Sequence, residues 1–433
     1  MRHALCLALL LAAGPAAANR IDIEAIATPL DSKVQAWRRD FHQHPELGNR
    51  EFRTAKAVAA HLKALGLDDI RTGVAHTGVT AVLRGAKPGP RIALRADMDA
   101  LPVTEASGLP FASKVTTEYR GNEVGVMHAC GHDAHVAILM GVAEALAGMR
   151  EQLSGEVLFV FQPAEEGPPD GERGGAELML SEGVFERFKP QLVLGLHVWS
   201  ALNAGEIGLR SGPAMAAADF FSITVHGRQT HGSRPWGGVD PIAISAELIS
   251  GAQQIVSRHS NLVEHPVVVS FGAINGGIRE NIIPDSVELR GTIRTFDEGM
   301  RTDVHERLKA IAEHTAAAHG GRVEHQIPSG TTYPATVNDP ALTARMRPIL
   351  ARVVGDANVK EMKPITGAED FSLFAREVPG VFFFVGSTAP GIDAETAPSN
   401  HSPQFVLDEK ALQVGLRALL ASSLEALGAP AAE

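Results

Sequence analysis

Apolar residues recur at helical spacing across residues 31–41 (Val34, Trp37, Phe41) and 51–65 (Phe52, Ala55, Val58, Ala59, Leu62, Leu65), and Gly66 is placed to stop the second helix. The period then changes. Residues 79–83, 92–96, 156–162 and 192–196 are short apolar runs of strand length, and a long apolar helix pattern occupies 136–149. Unbroken apolar strands alternating with helices predict an α/β fold, with a mostly parallel sheet covered by helices on both faces. From about residue 213 the order becomes strand 220–227, helix 241–258, strands 266–274 and 287–295, helix 300–319 and strand 322–326. That βαββαβ order is the ferredoxin-like unit, which closes on its own sheet. The α/β rhythm resumes with helices at 341–354 and 370–376, a buried strand at 381–385 and a last helix at 407–427. The expected organisation is a main domain in two parts, 19–212 and 328–433, with 213–327 inserted between them.

The first residues are a separate object. Arg2 and His3 precede an apolar run, 4–13, and Ala16-Ala17-Ala18 offers small residues before Asn19. This is the layout of a secretory signal peptide over 1–18, and it predicts export, most simply to a periplasm. Removal of that segment takes Cys6 with it, leaving Cys130 as the lone thiol of a protein sent to an oxidising compartment. A thiol in that position calls for engagement, by a metal or as a protected nucleophile. At 433 residues, with a formal net charge of −11, the chain is an acidic globular protein. It lacks the basic surface that nucleic acid or an anionic membrane would select, which leaves a small molecule as the expected partner.

The chemistry gathers where apolar segments end. Residues 126–135 carry three imidazoles (His128, His132, His135), Cys130 and Asp133. Asp97 and Asp99 follow the 92–96 run, Glu165-Glu166 follow 156–162, His197 follows 192–196, and His401 lies in a polar loop at 391–403. Cys130, His132, Glu166, His197 and His401 are the thiolate, imidazole and carboxylate donors of zinc and its relatives. Five donors exceed one tetrahedral ion and suit two divalent ions with a bridging group. Of two adjacent glutamates, one can hold a metal while the other takes a proton from water. At this point His128 and His135 compete with His132 as ligands, and Asp97 and Asp99 read equally well as turn and cap residues.

Several ordered motifs together resemble the M20 peptidase family, and within it the amidohydrolase branch of hippurate hydrolases, N-acyl-amino-acid aminoacylases and auxin-conjugate hydrolases. They are Met127 to His135, Gln162 to Gly167, Gly195 to Trp199, Gly227 to Pro241 around His231, Asn281 to Pro284, and Gly367 to Phe371. The likeness runs from about residue 30 to residue 425. It implies two divalent metal ions per subunit (Mn²⁺, Zn²⁺, Ni²⁺ or Co²⁺), held by Cys130, His132, Glu166, His197 and His401, with Glu165 as general base. It also implies that the inserted domain is a lid through which two copies dimerise. His231 would stabilise the oxyanion, in its own or a partner subunit's site, and Asn281 and Arg294 would hold the substrate carboxylate, Arg294 by a two-point contact.

One departure stands out. Many M20 peptidases carry a metal-binding His two residues before the Asp that ends the second strand, whereas this chain has Arg95 before Asp97. Asp97 is accordingly expected to orient a ligand imidazole or to support the loop rather than to bind metal. The function so implied is hydrolysis of the amide of N-acyl amino acids. The alternatives are a metallo-carboxypeptidase or dipeptidase, a cysteine hydrolase built on Cys130 with His128 or His132, and a periplasmic binding module that clamps an amino-acid conjugate without cutting it.

Overall fold

The computed structural model describes residues 21–428, so the signal-peptide expectation for 1–18 lies outside the described residues. An eight-stranded sheet forms the main body, and its four central strands, Ser154–Gln162, Lys87–Asp97, Leu192–Asn203 and Gly380–Thr388, run parallel in that spatial order. The flanks are mixed. Gly78–Arg84 lies antiparallel beside Ser154–Gln162, and Ile207–Leu209 lies antiparallel beside Gly380–Thr388.

Every residue of Gly380–Thr388 is buried, which explains its unbroken apolar sequence: a central parallel strand meets helices on both faces. One face packs on helices Asp31–Gln43, His132–Gly148 and Lys410–Ala426 through residues such as Val34, Ile138, Phe159, Leu194 and Leu416. The other packs on Gly175–Ser181, Val184–Phe188 and Phe371–Glu377 through Phe185, Phe374 and Phe382. Helix His132–Gly148 is buried along nearly its whole length, so it is apolar all round rather than striped.

Segment 217–333 follows the predicted βαββαβ order. Its strands Val268–Gly276, Ser286–Thr295, Ala217–His226 and Arg322–Tyr333 pair antiparallel in that spatial order. Helices Pro241–Gln254 and Glu298–Ala318 cover the sheet and share a core of their own, built from Phe221, Ile223, Leu248, Leu289 and Leu308. Its last strand is longer than the sequence pattern suggested, reaching Tyr333 rather than Gln326. Likewise, Leu192–Asn203 continues past His197 instead of ending before it. No described helix is long and apolar enough to cross a membrane.

Candidate metal centre and hydrolytic site

Three parallel strands deliver the polar groups to one end of the sheet, the usual place for a site in an α/β fold. Strand Lys87–Asp97 ends in Asp97 and runs on to Asp99; Ser154–Gln162 leads to Glu165 and Glu166; Leu192–Asn203 carries His197 within it. The turn into helix His132–Gly148 adds Cys130 and His132. Gly131 between them adopts φ +90, and a Cβ there would stand 2.3 Å from Val198 Cγ2, so only glycine lets both neighbours reach the site. Ala164 holds a φ of +51, an uncommon conformation for a residue with a side chain, directly before the paired glutamates.

The five sequence-predicted donors come together. Cys130 Sγ lies 3.3 Å from His197 Nε2 and 3.2 Å from His401 Nε2, and His401 Nε2 lies 2.9 Å from Glu166 Oε1. Cys130 with His132 and His197, Cys130 with Glu166 and His401, and His132 with Glu165 and Glu166 each form a set whose donor atoms all fall within 4.8 Å of one another. One of these atoms, His132 Nε2, is buried without a hydrogen-bond partner among the described residues. Such an orphan is costly unless something else satisfies it, and a cation does so. The donor set therefore fits divalent metals.

Neighbouring groups set which nitrogen faces the centre. Asp99 Oδ1 lies 3.2 Å from His132 Nδ1, and Asp99 Oδ2 accepts from the Glu166 backbone N–H at 2.9 Å. His197 Nδ1 donates to the Val198 carbonyl at 2.6 Å. In both rings Nε2 is left free to coordinate, the arrangement that fixes a ligand tautomer. The same accounting separates the competing histidines. His135 uses both nitrogens, Nδ1 on Asp97 Oδ1 at 2.5 Å and Nε2 accepting from Val198 N–H at 2.9 Å. His128 has neither nitrogen bonded, joins none of the donor sets, and is pushed down to about 3 chiefly by burial.

The expectation for Asp97 needs correcting in detail. It bonds His135 rather than a predicted ligand, and its Oδ2 lies 3.8 Å from His132 Nε2, in a donor set with His132 and His135. Asp99 is the residue that orients a predicted ligand. Neither aspartate acts as a turn cap.

Arg95 is 1% exposed and points inward. Its guanidinium donates to Gln162 Oε1 (2.8 Å), Asp97 Oδ2 (2.7 Å), Glu369 Oε1 (2.8 Å) and Asp370 Oδ1 (2.8 Å). A buried cation thus fixes three carboxylates behind the site. Sequence reasoning left Glu369 without a role; burial above all, opposed by Arg95, leaves its carboxyl pushed up to about 8. Glu51 was missed altogether. It supports the glutamate loop by accepting the Ala164 N–H at 2.9 Å, and burial with the charge of Asp99 pushes it up to about 8.

Glu165 is buried, and among the described residues its carboxylate forms no hydrogen bond; Oε2 lies 3.9 Å from His132 Nε2. Burial first, then the charges of Glu369, Glu166 and Asp370, hold it well above the usual carboxylate range. Cys130 is raised as well, by burial and by Glu166 and Glu165.

The three inserted-segment residues lie apart from this cluster: none bonds to a predicted ligand among the described residues. His231 and Asn281 sit side by side on a small ribbon in which Thr230–His231 pairs with Ile282–Ile283, and both are exposed. His231 Nδ1 accepts from the Ser233 backbone N–H at 3.1 Å, so its outward Nε2 carries the proton. Arg294 is half-buried over the Phe220 ring, 5.7 Å from its centroid, and forms no ion pair among the described residues.

The sequence profile of peptidase family M20/M25/M40 matches residues 93–424. The chain belongs to this family. Among curated M20 relatives it is 41% identical to thermostable carboxypeptidase 2 of Saccharolobus solfataricus, over 88% of this chain and 93% of that protein. It is 40% identical to an N-acyl-L-amino acid amidohydrolase of Geobacillus stearothermophilus, over 71% and 79%. A solved structure from Bacillus subtilis, described as a dinuclear metal-binding peptidase of the M20 family, superposes with a TM-score of 0.75 at 33% identity, covering 93% of this chain and 99% of that one. These findings agree with the family resemblance read from the motifs.

Proposed function

We propose that this M20 protein is a metal-dependent amidohydrolase that cleaves N-acyl amino acids to a carboxylic acid and a free amino acid. The observation that carries this reading is Glu165, a buried carboxylate with no hydrogen bond beside a convergent set of metal donors. A pure binding module has no use for such a group. Cys130, His132, Glu166, His197 and His401 would hold two divalent cations, a number supported by the donor sets and by the dinuclear relative. When bound, the cations supply Lewis acidity, making water a better acid and the scissile carbonyl a better electrophile.

The chain's own residues do the rest. Glu165 takes the proton from the attacking water and returns it to the departing amine nitrogen. His231, presenting Nε2–H outward, donates to the developing oxyanion from its own or a partner subunit. Arg294 and Asn281 receive the substrate carboxylate, the first as a guanidinium without a carboxylate partner among the described residues. Segment 213–327 acts as lid and dimer contact; its edge strand Val268–Gly276 leaves Ile274 exposed, and Ile274→Lys should convert dimer to monomer in sedimentation velocity. Residues 1–18 direct export, so the mature protein is expected in the periplasmic fraction.

The decisive experiment offers N-acetyl, N-benzoyl and dipeptide substrates to metal-loaded protein. Cleavage of N-acyl amino acids, erased by a chelator and restored by Mn²⁺ or Zn²⁺, is the expected result. A second reading, metallo-carboxypeptidase or dipeptidase, is favoured by the name of the Saccharolobus relative. Turnover confined to the dipeptides would establish it instead.

A further inference from the structure

A cavity of about 880 Å³ runs along the outer edge of the main sheet, and none of the roles above uses it. Strand Asp68–Val74 forms that edge; it lies antiparallel to Gly78–Arg84, which pairs in turn with Ser154–Gln162. Helix Val184–Phe188 packs on this face, and the cavity lies between the helix and the three strands. It shares no residue with the donor sets. Arg91, which lines it, stands six positions before Asp97 on strand Lys87–Asp97, roughly 20 Å away at the rise of an extended chain. The volume falls within the range of small-molecule sites.

Two kinds of surface meet here. Val82, Leu158, Val184 and Phe188 are buried members of the core on this face, and they give the cavity an apolar floor. Around it stand four arginines, in a chain whose formal net charge is −11. Arg84 is committed, pairing with Asp69 and lying 3.7 Å from Glu156. Glu182, the remaining acid of the lining, accepts the Ala75 backbone N–H at 2.8 Å. Arg71, Arg91 and Arg187 are exposed and form no ion pair among the described residues; Arg187 donates to the Glu182 carbonyl, and Arg91 stands 6.0 Å from the centre of the Phe188 ring. The strand pairing sets two of these cations at different ends. Arg71 is level with Thr80 and Val160, whereas Arg91 is level with Glu156, roughly 13 Å further along the sheet.

A planar guanidinium presents the fork that a carboxylate fits, and an apolar floor gains by covering itself with hydrocarbon. We propose that this cavity is a second binding site, separate from the catalytic one, for an amphipathic organic monocarboxylate: one charged head on an aliphatic or aromatic body. The body lies on Val82, Leu158 and Phe188, and the head is met at an end of the cavity by Arg71 with Arg187 or by Arg91. With Glu156 and Glu182 close by, a singly charged head is preferred to a doubly charged one. Neither half is enough alone, because an exposed ion pair contributes little and a neutral hydrocarbon leaves the guanidinium rim unmatched. The site stands whichever amide the enzyme cleaves.

Calorimetric titration of the metal-loaded protein with octanoate tests this. Octanoate should bind, and butanoate should bind at least about tenfold more weakly, since each buried methylene is worth roughly fourfold. Octanol, which keeps the body and drops the charge, should also lose about tenfold. The double variant Arg71→Glu with Arg91→Glu reverses a charge at each end without touching the core, and it should weaken octanoate about tenfold or more; Arg91→Glu alone serves if the pair does not fold. Removing the metals by chelation and dialysis should leave the octanoate affinity unchanged. No binding of octanoate, equal binding of octanol, or wild-type affinity in the folded variant overturns the site. Loss of binding on chelation places octanoate at the donor cluster and overturns it too. A difference in oligomeric state between wild type and the double variant, read by sedimentation velocity, gives the cavity to a second copy of the chain and does the same.

Discussion

Glu165 and Glu166 are adjacent in sequence and opposite in circumstance. Glu166 Oε1 stands 2.9 Å from His401 Nε2, and hydrogen bonding and charge from His401 overcome burial to lower its carboxyl, whereas Glu165 has no such partner and is raised. The roles proposed for them divide in the same way, Glu166 coordinating and Glu165 carrying a proton. Glu165→Gln should retain both metals by elemental analysis and lose about 10²- to 10⁴-fold in kcat; near-wild-type turnover would remove Glu165 from the proton-transfer role. Four predicted donors could be recognised in the sequence because Glu166 and His197 stand in motifs just beyond an apolar run and Cys130 and His132 at the turn into an apolar helix, whereas His401 lies in a polar loop. Asp99 and Glu51 could not be assigned so readily. An acid after a strand looks like turn chemistry, and only the folded chain places Asp99 between His132 and the Glu166 amide. Arg95 was noticed as a departure, but its partners Glu369 and Asp370 lie more than 270 positions away.

At the scale of elements, hydrophobic periodicity carried the main helices and central strands, because burial of one face or both dictates their composition. It failed where burial is partial. The hairpin Thr116–Tyr119 with Asn122–Gly125 is short and polar, and the apolar pattern gives no sign of it. Strand Arg322–Tyr333 appeared to stop early because Pro328 and Gly330 break the alternation. That extra length matters, since the Tyr333 hydroxyl donates to the Glu165 carbonyl at 2.9 Å, joining the βαββαβ unit to the glutamate loop. Within that unit Asp219 accepts from Arg301 (2.8 and 2.7 Å) and lies 3.1 Å from His305 Nε2, linking strand to helix. Burial pushes this carboxyl up, but hydrogen bonds and charge from Arg301 and His305 outweigh it and leave it below its ordinary value. A carboxylate held lower in the folded than in the unfolded chain stabilises above the unfolded value of about 3.9. That contribution fades as pH falls from there through the folded value. Asp219→Asn should therefore lower Tm at pH 7, and its gap from wild type should close as pH drops below about 4. A gap independent of pH would show that Asp219 acts through packing rather than charge.

For the whole molecule, the donors are contributed by residues 130, 132, 166, 197 and 401, so the two sequence portions flanking the βαββαβ unit meet at one point. The 391–403 loop is tied down without metal as well: the His401 N–H donates to the Ala129 carbonyl at 2.8 Å, and Asn400 Nδ2 donates to the Cys130 and Val198 carbonyls at 3.1 Å each. Ligands that bind only the folded state stabilise it, by about 4 kcal/mol at a thousandfold excess over Kd. Stripping the metals should lower Tm, and scanning calorimetry before and after chelation checks this. An unchanged Tm would mean that the donors do not hold the ions in the folded protein.

His401 belongs to the last tenth of the chain, and its placement ranks the order of events during biogenesis. A nascent chain that has not yet reached this residue lacks one corner of the donor cluster, so the set is complete only when synthesis is nearly done.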